Sequence, residues 1–202
     1  MSTAKTLLWV AVPLVAGFEL YAASLVLRPN VDPVYRAYFI DRSTDCWPHV
    51  TAARYSLGKP LSFVAGSPNL FLPNKGCGWF YPNARGTWSY GRYSTLMFRF
   101  SPVDAPLALT ITAGAMVNPA HPTQRVEVSA NGQKLGELTL DAVAPETRSV
   151  AVPAELAKAG SLDMRFDFPD ARSGRELGPN EDSHLRAIRF LSVTLQEADL
   201  AG

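Results

Sequence analysis

Gln124-Arg-Val-Glu-Val-Ser-Ala-Asn-Gly-Gln-Lys-Leu-Gly-Glu-Leu-Thr-Leu140 is the stretch on which the fold turns. Val126 and Val128 alternate with Arg125, Glu127 and Ser129, the period of a strand with one buried and one wet face. Asn131-Gly132 follows, a pair that supplies the positive φ angles of a two-residue hairpin turn. The return strand runs Gln133–Leu140. A β-hairpin is therefore predicted over residues 124–140.

The same period extends to both sides. Upstream, Leu96, Phe98 and Phe100 of Ser94–Ser101 oppose Met97 and Arg99, and Leu107, Leu109, Ile111, Ala113 and Ala115 share one face of Pro106–Val117. A first strand is predicted near Pro60–Ala65, before the turn Gly66-Ser-Pro-Asn69. Downstream come a strand at Thr147–Val152 and a helical turn or two within Pro153–Ala159. Leu162, Met164, Phe166 and Phe168 then alternate with Asp163, Arg165 and Asp167, and a last strand runs Leu185–Leu195. Seven to nine short strands with regularly spaced turns predict an all-β, antiparallel β-sandwich over residues 55–198. Residues 29–54 read as an irregular, short-helical linker, with Asp32-Pro33 opening a helical segment over Val34–Ile40.

Between the first two strands lies Gly76-Cys-Gly-Trp-Phe-Tyr-Pro-Asn-Ala-Arg-Gly-Thr-Trp-Ser-Tyr-Gly91. It holds two of the four Trp, two Tyr, one of the two Cys and four Gly, a density that marks either recognition or an irregular backbone. Trp79 and Trp88 suit two roles, as core residues or as rings on which a sugar stacks. Asn83 and Arg85 would donate to hydroxyls, and Tyr81 and Tyr90 complete an aromatic platform of the kind found in small-ligand sites. Trp, Tyr and Arg are equally the types enriched where one protein grips another.

Residues 1–28 form the other distinctive segment. Thr6–Leu27 carries one charge, Glu19. A helix of about 22 residues spans a ~30 Å hydrocarbon core. An uncleaved membrane anchor is expected rather than a signal peptide, because Tyr21 stands where cleavage after Ala23 wants a small residue. Glu19 either reaches the headgroups or contacts a partner's membrane helix. Two cysteines in such a chain, Cys46 and Cys77, read as one disulfide, the alternatives being two buried thiols or half a metal site. With the disulfide, the sandwich lies on the periplasmic side of a bacterial inner membrane.

Chemistry was sought in the remaining residues. A net charge of +1 argues against a nucleic-acid partner. His49, His121 and His184 lack metal-ligand spacing and read as loop residues. Glu176, Glu181 and Asp182, with Asp167 and Asp170 before them, could serve a glycosidase or calcium, yet carboxylates in a Gly/Pro-rich loop are usually solvated or capping groups. No catalytic residue, metal or cofactor is expected.

Several marks stand in order: Tyr55-x-Leu57-Gly58-x-Pro60-Leu61-x-Phe63, Gly78-Trp79, Gly86-x-Trp88-Ser89-x-Gly91, Leu96-x-Phe98-x-Phe100, the Asn131-Gly132 hairpin, and Arg172-Ser-Gly-x-x-Glu176-Leu-Gly178 with Asp182 and Arg186. Together they resemble the extracytoplasmic β-sandwich module at the C-termini of some bacterial membrane glycosyltransferases and surface-polysaccharide proteins. Such modules are similar to carbohydrate-binding jelly rolls. The resemblance covers about Tyr55–Leu195. Asn83 departs from it, since the family often has an acidic residue there, and a single span replaces the glycosyltransferase.

The expectation is thus a membrane-anchored, non-catalytic periplasmic sandwich that binds glycan or assists a cell-surface glycan assembly machine. The alternative is an accessory subunit docked on an integral membrane protein, such as a glycosyltransferase, through its span, Glu19 and the aromatic surface. The expected contact residues are Trp79, Tyr81, Asn83, Arg85, Trp88, Tyr90, Glu176, Asp182 and Arg186.

Overall fold

A computed structural model describes residues 3–27, 53–178 and 182–198. Two compact units divide the chain, Met1–Arg42 and Ser43–Gly202. Cys46, His49, Glu181, the helical segment expected at Val34–Ile40 and the irregular stretch Asp41–Val50 lie outside the described residues.

The first unit contains helix α1, Thr3–Leu27, with Pro13 inside it. Its side chains are described continuously over residues 12–26, about 22 Å of helix at 1.5 Å per residue. Among the described residues no helix is long and apolar enough to cross a membrane. The helix expected within 1–28 is present as Thr3–Leu27. Val12, Leu14, Val15, Phe18, Leu20 and Tyr21 are all exposed within this unit, and so is Glu19.

The second unit is built from antiparallel strands: β1 Leu61–Ser62, β2 Thr87–Trp88, β3 Tyr93–Arg99, β4 Leu107–Ala115, β5 Gln124–Ala130, β6 Gln133–Leu140, β7 Glu146–Val152, β8 Ser161–Asp167, β9 Arg172–Ser173, β10 Leu185–Arg186 and β11 Ile188–Glu197. One sheet runs β1-β11-β4-β7, with β2 also paired to β11; the other runs β3-β8-β5-β6; β9 and β10 form a small third ladder. The hairpin at 124–140 has the expected boundaries, and Asn131 (φ 50°) and Gly132 (φ 81°) adopt the left-handed conformation its turn requires. The expected first strand shrinks to Leu61–Ser62, because Ser67 N–H already donates to Val64 O at 3.3 Å and turns the chain. The last strand is split at Ala187.

Burial follows the alternation. Leu96 and Phe98 of β3, Leu107, Leu109 and Ile111 of β4, Val126 and Val128 of β5, and Leu162, Met164 and Phe166 of β8 join one core with Val193 and Leu195. Each fully buried side chain of this size stabilises by about 1.5–3 kcal/mol relative to exposure. At one end the core becomes aromatic. Phe63 stacks on Phe71 at 4.0 Å, and Trp79 lies 4.9 Å from Phe190 edge-to-face. Tyr55 closes the same sheet: its hydroxyl donates to Lys59 O at 2.5 Å and accepts from Leu195 N–H at 3.0 Å.

Candidate functional site

Two short segments of the aromatic stretch run antiparallel. Trp79 pairs with Ser89, Phe80 N–H donates to Trp88 O at 3.0 Å and Tyr90 N–H to Gly78 O at 2.8 Å. Neighbours in an extended chain face opposite ways. Trp79 and Ser89 point inward and are buried, so Phe80, Trp88 and Tyr90 turn to the other side and are half-buried. Two glycines let this ribbon sit so close to the sheets. A Cβ on Gly78 (φ 77°) would stand 1.9 Å from Tyr93 O, and one on Gly86 (φ 114°) 2.4 Å from Phe190 O.

The C-terminal chain runs beside the ribbon. Gly91 N–H donates to Leu185 O at 3.0 Å and Ser89 N–H to Ile188 O at 2.9 Å. Here the alternation breaks. Ala187 and Ile188 are both buried, and both N–H groups donate to Ser89 Oγ, at 2.9 and 3.3 Å. In an unbroken strand two residues three apart face opposite ways. The break turns both Arg186 and Arg189 toward the half-buried rings.

The result is a ledge of rings and guanidinium groups. Phe80 and Tyr90 lie 4.5 Å apart, and the His184 ring is 5.3 Å from Tyr90 and 5.9 Å from Phe80. The Arg186 guanidinium stands 4.6 Å from the Phe80 ring centre and 6.0 Å from that of Trp88, and the Arg189 guanidinium 5.5 Å from Trp88. These are cation–π distances. Asp182 ties the ledge together. It pairs with Arg186, accepts from His184 N–H at 3.0 Å, and lies 2.6 Å from His184 Nδ1. Burial pulls the Arg186 guanidinium below its ordinary pKa.

Of the residues expected from the sequence, this geometry gathers Trp88, Tyr90, Asp182 and Arg186. Trp79 is corrected to a core residue: it is 1% exposed, and its Nε1–H donates to Thr95 O at 2.8 Å, which leaves no face for a ligand. Glu176 is a capping group. Ser173 N–H donates to its carboxylate at 2.7 Å and Ser173 Oγ at 3.0 Å, while Glu176 N–H returns to Ser173 Oγ, a reciprocal capping box. Those bonds, the backbone one first, hold the Glu176 carboxyl below its usual range.

Tyr81, Asn83 and Arg85 occupy the tip of the hairpin 80–88. Tyr81 is 53% exposed, and Asn83 uses its side chain locally, accepting from Arg85 N–H at 2.8 Å. Of the carboxylates weighed for a glycosidase, Asp167, Asp170 and Asp182 are held by arginines instead. Arg125 donates to Asp170 through Nε and Nη2, both at 2.8 Å, and this fork holds the Asp170 carboxyl below its usual range. Arg165 likewise donates to Asp167 through Nε at 2.8 Å and Nη2 at 2.7 Å. His121 sits in the Asn118–His121 turn. Cys77 is not a free thiol.

Phe80, His184 and Arg189 were missed from the sequence. Phe80 could have been found from its place next to an inward Trp79. Arg189 could not, because no pattern announces the break at Ala187–Ile188.

No known protein-family profile matches the chain, and no curated protein matches it. Among solved structures it is similar to a CBM36 domain of a multidomain xylanase from the hindgut metagenome of Trinervitermes trinervoides, at 10% identity over 74% of this chain and 93% of that one, with a TM-score of 0.35. It is also similar to the C-terminal CBM6 of a marine laminarinase from Zobellia galactanivorans, at 14% identity over 67% and 99% of the two chains and a TM-score of 0.36. A third is the xylan-binding module CBM15, at 11% identity over 72% and 97% and a TM-score of 0.39.

Proposed function

We propose that this chain is a non-catalytic, membrane-anchored β-sandwich that binds glycan at the ledge formed by Phe80, Trp88, Tyr90, His184, Arg186 and Arg189. One observation carries the reading: half-buried rings and two guanidinium groups converge on one side of the ribbon, each guanidinium within 6.0 Å of the Trp88 ring centre. Sugars present apolar C–H faces and polar edges together, and a surface that mixes ring faces with fixed donors matches both. The Arg125–Asp170, Arg165–Asp167 and Ser173–Glu176 bonds give most carboxylates of the region other work, which favours binding over hydrolysis.

The apolar residues of α1 are spaced around its whole circumference, as suits a helix surrounded by lipid or by a partner's helices. The anchor and a Cys46–Cys77 disulfide together place the sandwich in the periplasm of a bacterium in this reading. The test is binding of the full-length chain, in mild detergent, to an array of bacterial polysaccharides. Trp88→Ala should weaken the best signal at least about tenfold. No binding to any glycan, with the ledge residues intact, would overturn the proposal. Non-reducing peptide mapping should find Cys46 and Cys77 in one linked fragment.

The second reading is an accessory subunit of a membrane complex, favoured by the exposed Glu19 on an otherwise apolar run. It expects an integral membrane protein, such as a glycosyltransferase, to co-purify, and Glu19→Leu to release it.

A further inference from the structure

We infer that the glycan bound at the ledge is acidic, its anionic group an oxyanion held by Arg189; this rests on the glycan reading above.

Two guanidinium groups and one carboxylate meet at the ledge, and Arg186 takes the carboxylate of Asp182. Arg189 has no ion pair among the described residues, and its contact is with the Trp88 ring. Its neighbours in register supply no acid either: Trp88 lies on one side and Gly114 on the other. Arg186 stands in register with a further cation, Arg172, across the β9–β10 ladder. Asp182 is the sole acid in contact with the ledge among the described residues, and it is taken by Arg186, which leaves Arg189 as an unmatched cation beside an aromatic ring.

Hydrogen bonding points the same way. The Nε atoms of Arg186 and Arg189 are both buried and, among the described residues, both lack an acceptor. Buried donors without partners are costly. A guanidinium is a planar fork whose best partner is a planar or tetrahedral oxyanion held through two N–H groups. The hydroxyls of a neutral sugar would satisfy single donors and leave the charge unmatched. A sugar carrying its acid group at the ring edge would let its apolar face cover the rings while the acid reaches Arg189. Uronic acids have that layout, and so do sugars esterified with phosphate or sulfate.

The test uses the full-length chain in mild detergent and measures binding to pectate, alginate and hyaluronate, each beside its methyl-esterified form, and to dextran beside dextran sulfate. An acidic polymer should bind at least about tenfold more tightly than its neutral counterpart, and the difference should shrink as salt rises. Arg189→Gln should abolish the preference without lowering the unfolding midpoint, since it removes a buried donor that has no acceptor. Arg189→Lys should retain part of it. The carboxylate and sulfate arms tell which oxyanion is taken. Equal binding of acidic and neutral forms, or binding of neutral glycans only, would overturn the inference and leave glycan binding standing. Binding to no polysaccharide of any kind would remove both. An acid preference that persists in Arg189→Gln would overturn the role given to Arg189.

Discussion

Ser89 Oγ accepts the backbone N–H of Ala187 at 2.9 Å, a hydrogen bond between residues 98 apart in sequence, and takes that of Ile188 at 3.3 Å as well. One hydroxyl thus sets the break in alternation that sends Arg186 and Arg189 to the same side. Ser89→Ala would leave buried N–H groups without their acceptor, at a cost of about 1–3 kcal/mol. It should also weaken ligand binding by more than the loss of stability explains, because the two arginines lose their common direction. Urea unfolding and binding measured on the same preparation check this. A variant with unchanged midpoint and unchanged affinity would show that the break is set elsewhere.

Trp79 and Trp88 should separate cleanly in mutagenesis. Trp79 is sealed in the core against Phe63, Phe71 and Phe190. Its truncation to Ala should cost about 3–5 kcal/mol, as for other large buried side chains. Trp88 is half-buried and on the ledge, so Trp88→Ala should cost no more than about half of that while removing ligand affinity. Chemical denaturation of the two variants decides it, and a Trp88→Ala protein as unstable as Trp79→Ala would argue that both rings are structural.

The two glycines at 78 and 91 test backbone against space. Both have positive φ, 77° and 82°, but only Gly78 has Tyr93 O within 1.9 Å of a would-be Cβ, whereas Gly91 has nothing within 4 Å. Gly91→Ala should cost about 1–2 kcal/mol, the penalty of a left-handed L-residue. Gly78→Ala adds a clash with backbone and should leave little folded protein at all, as judged by soluble yield and circular dichroism. Equal costs for the two would mean that β3 yields freely.

Lys75 gives a pH signature. It is 4% exposed, and burial pulls its ammonium down to about 8. The unfolded chain keeps that proton to about pH 10.4. Between about pH 8 and 10 the unfolded state therefore holds more protons, and stability rises with pH, by up to about 3 kcal/mol if no other group intervenes. Below pH 8 the penalty is fully present. Above pH 10 Tyr55 acts in the opposite sense, because burial pushes its hydroxyl up and the unfolded phenol loses its proton first. The urea midpoint should thus be higher at pH 9.5 than at pH 7.5. A level or falling midpoint would reject the buried, depressed lysine.

The sandwich was legible because its strands obey one rule. Val126, Val128, Leu162, Met164 and Phe166 are buried where alternation places them, and Asn131-Gly132 turns the chain as its chemistry demands. The ledge was legible only in part. Trp79 and Trp88 look alike in sequence, and what separates them is the parity of their positions in a two-residue-period ribbon whose register is fixed by Gly78 and Gly86. Glu176 reads as a candidate ligand until Ser173, three residues earlier, is seen to form a box with it. Arg189 depends on a long-range hydrogen bond from Ser89 that leaves no local trace.

Strand β11 lies inside its sheet, with β4 on one side and β1 and β2 on the other. It also delivers Arg189, while the rings come from residues 80–90. During synthesis the rings are therefore made long before the cations that complete them. Pairings over such separations form slowly and late. A nascent chain halted before Leu185 would have aromatic residues but no ledge, and could not seize a ligand on its way out. On the proposed glycan-binding role, recognition is switched on by the same event that completes the sheet.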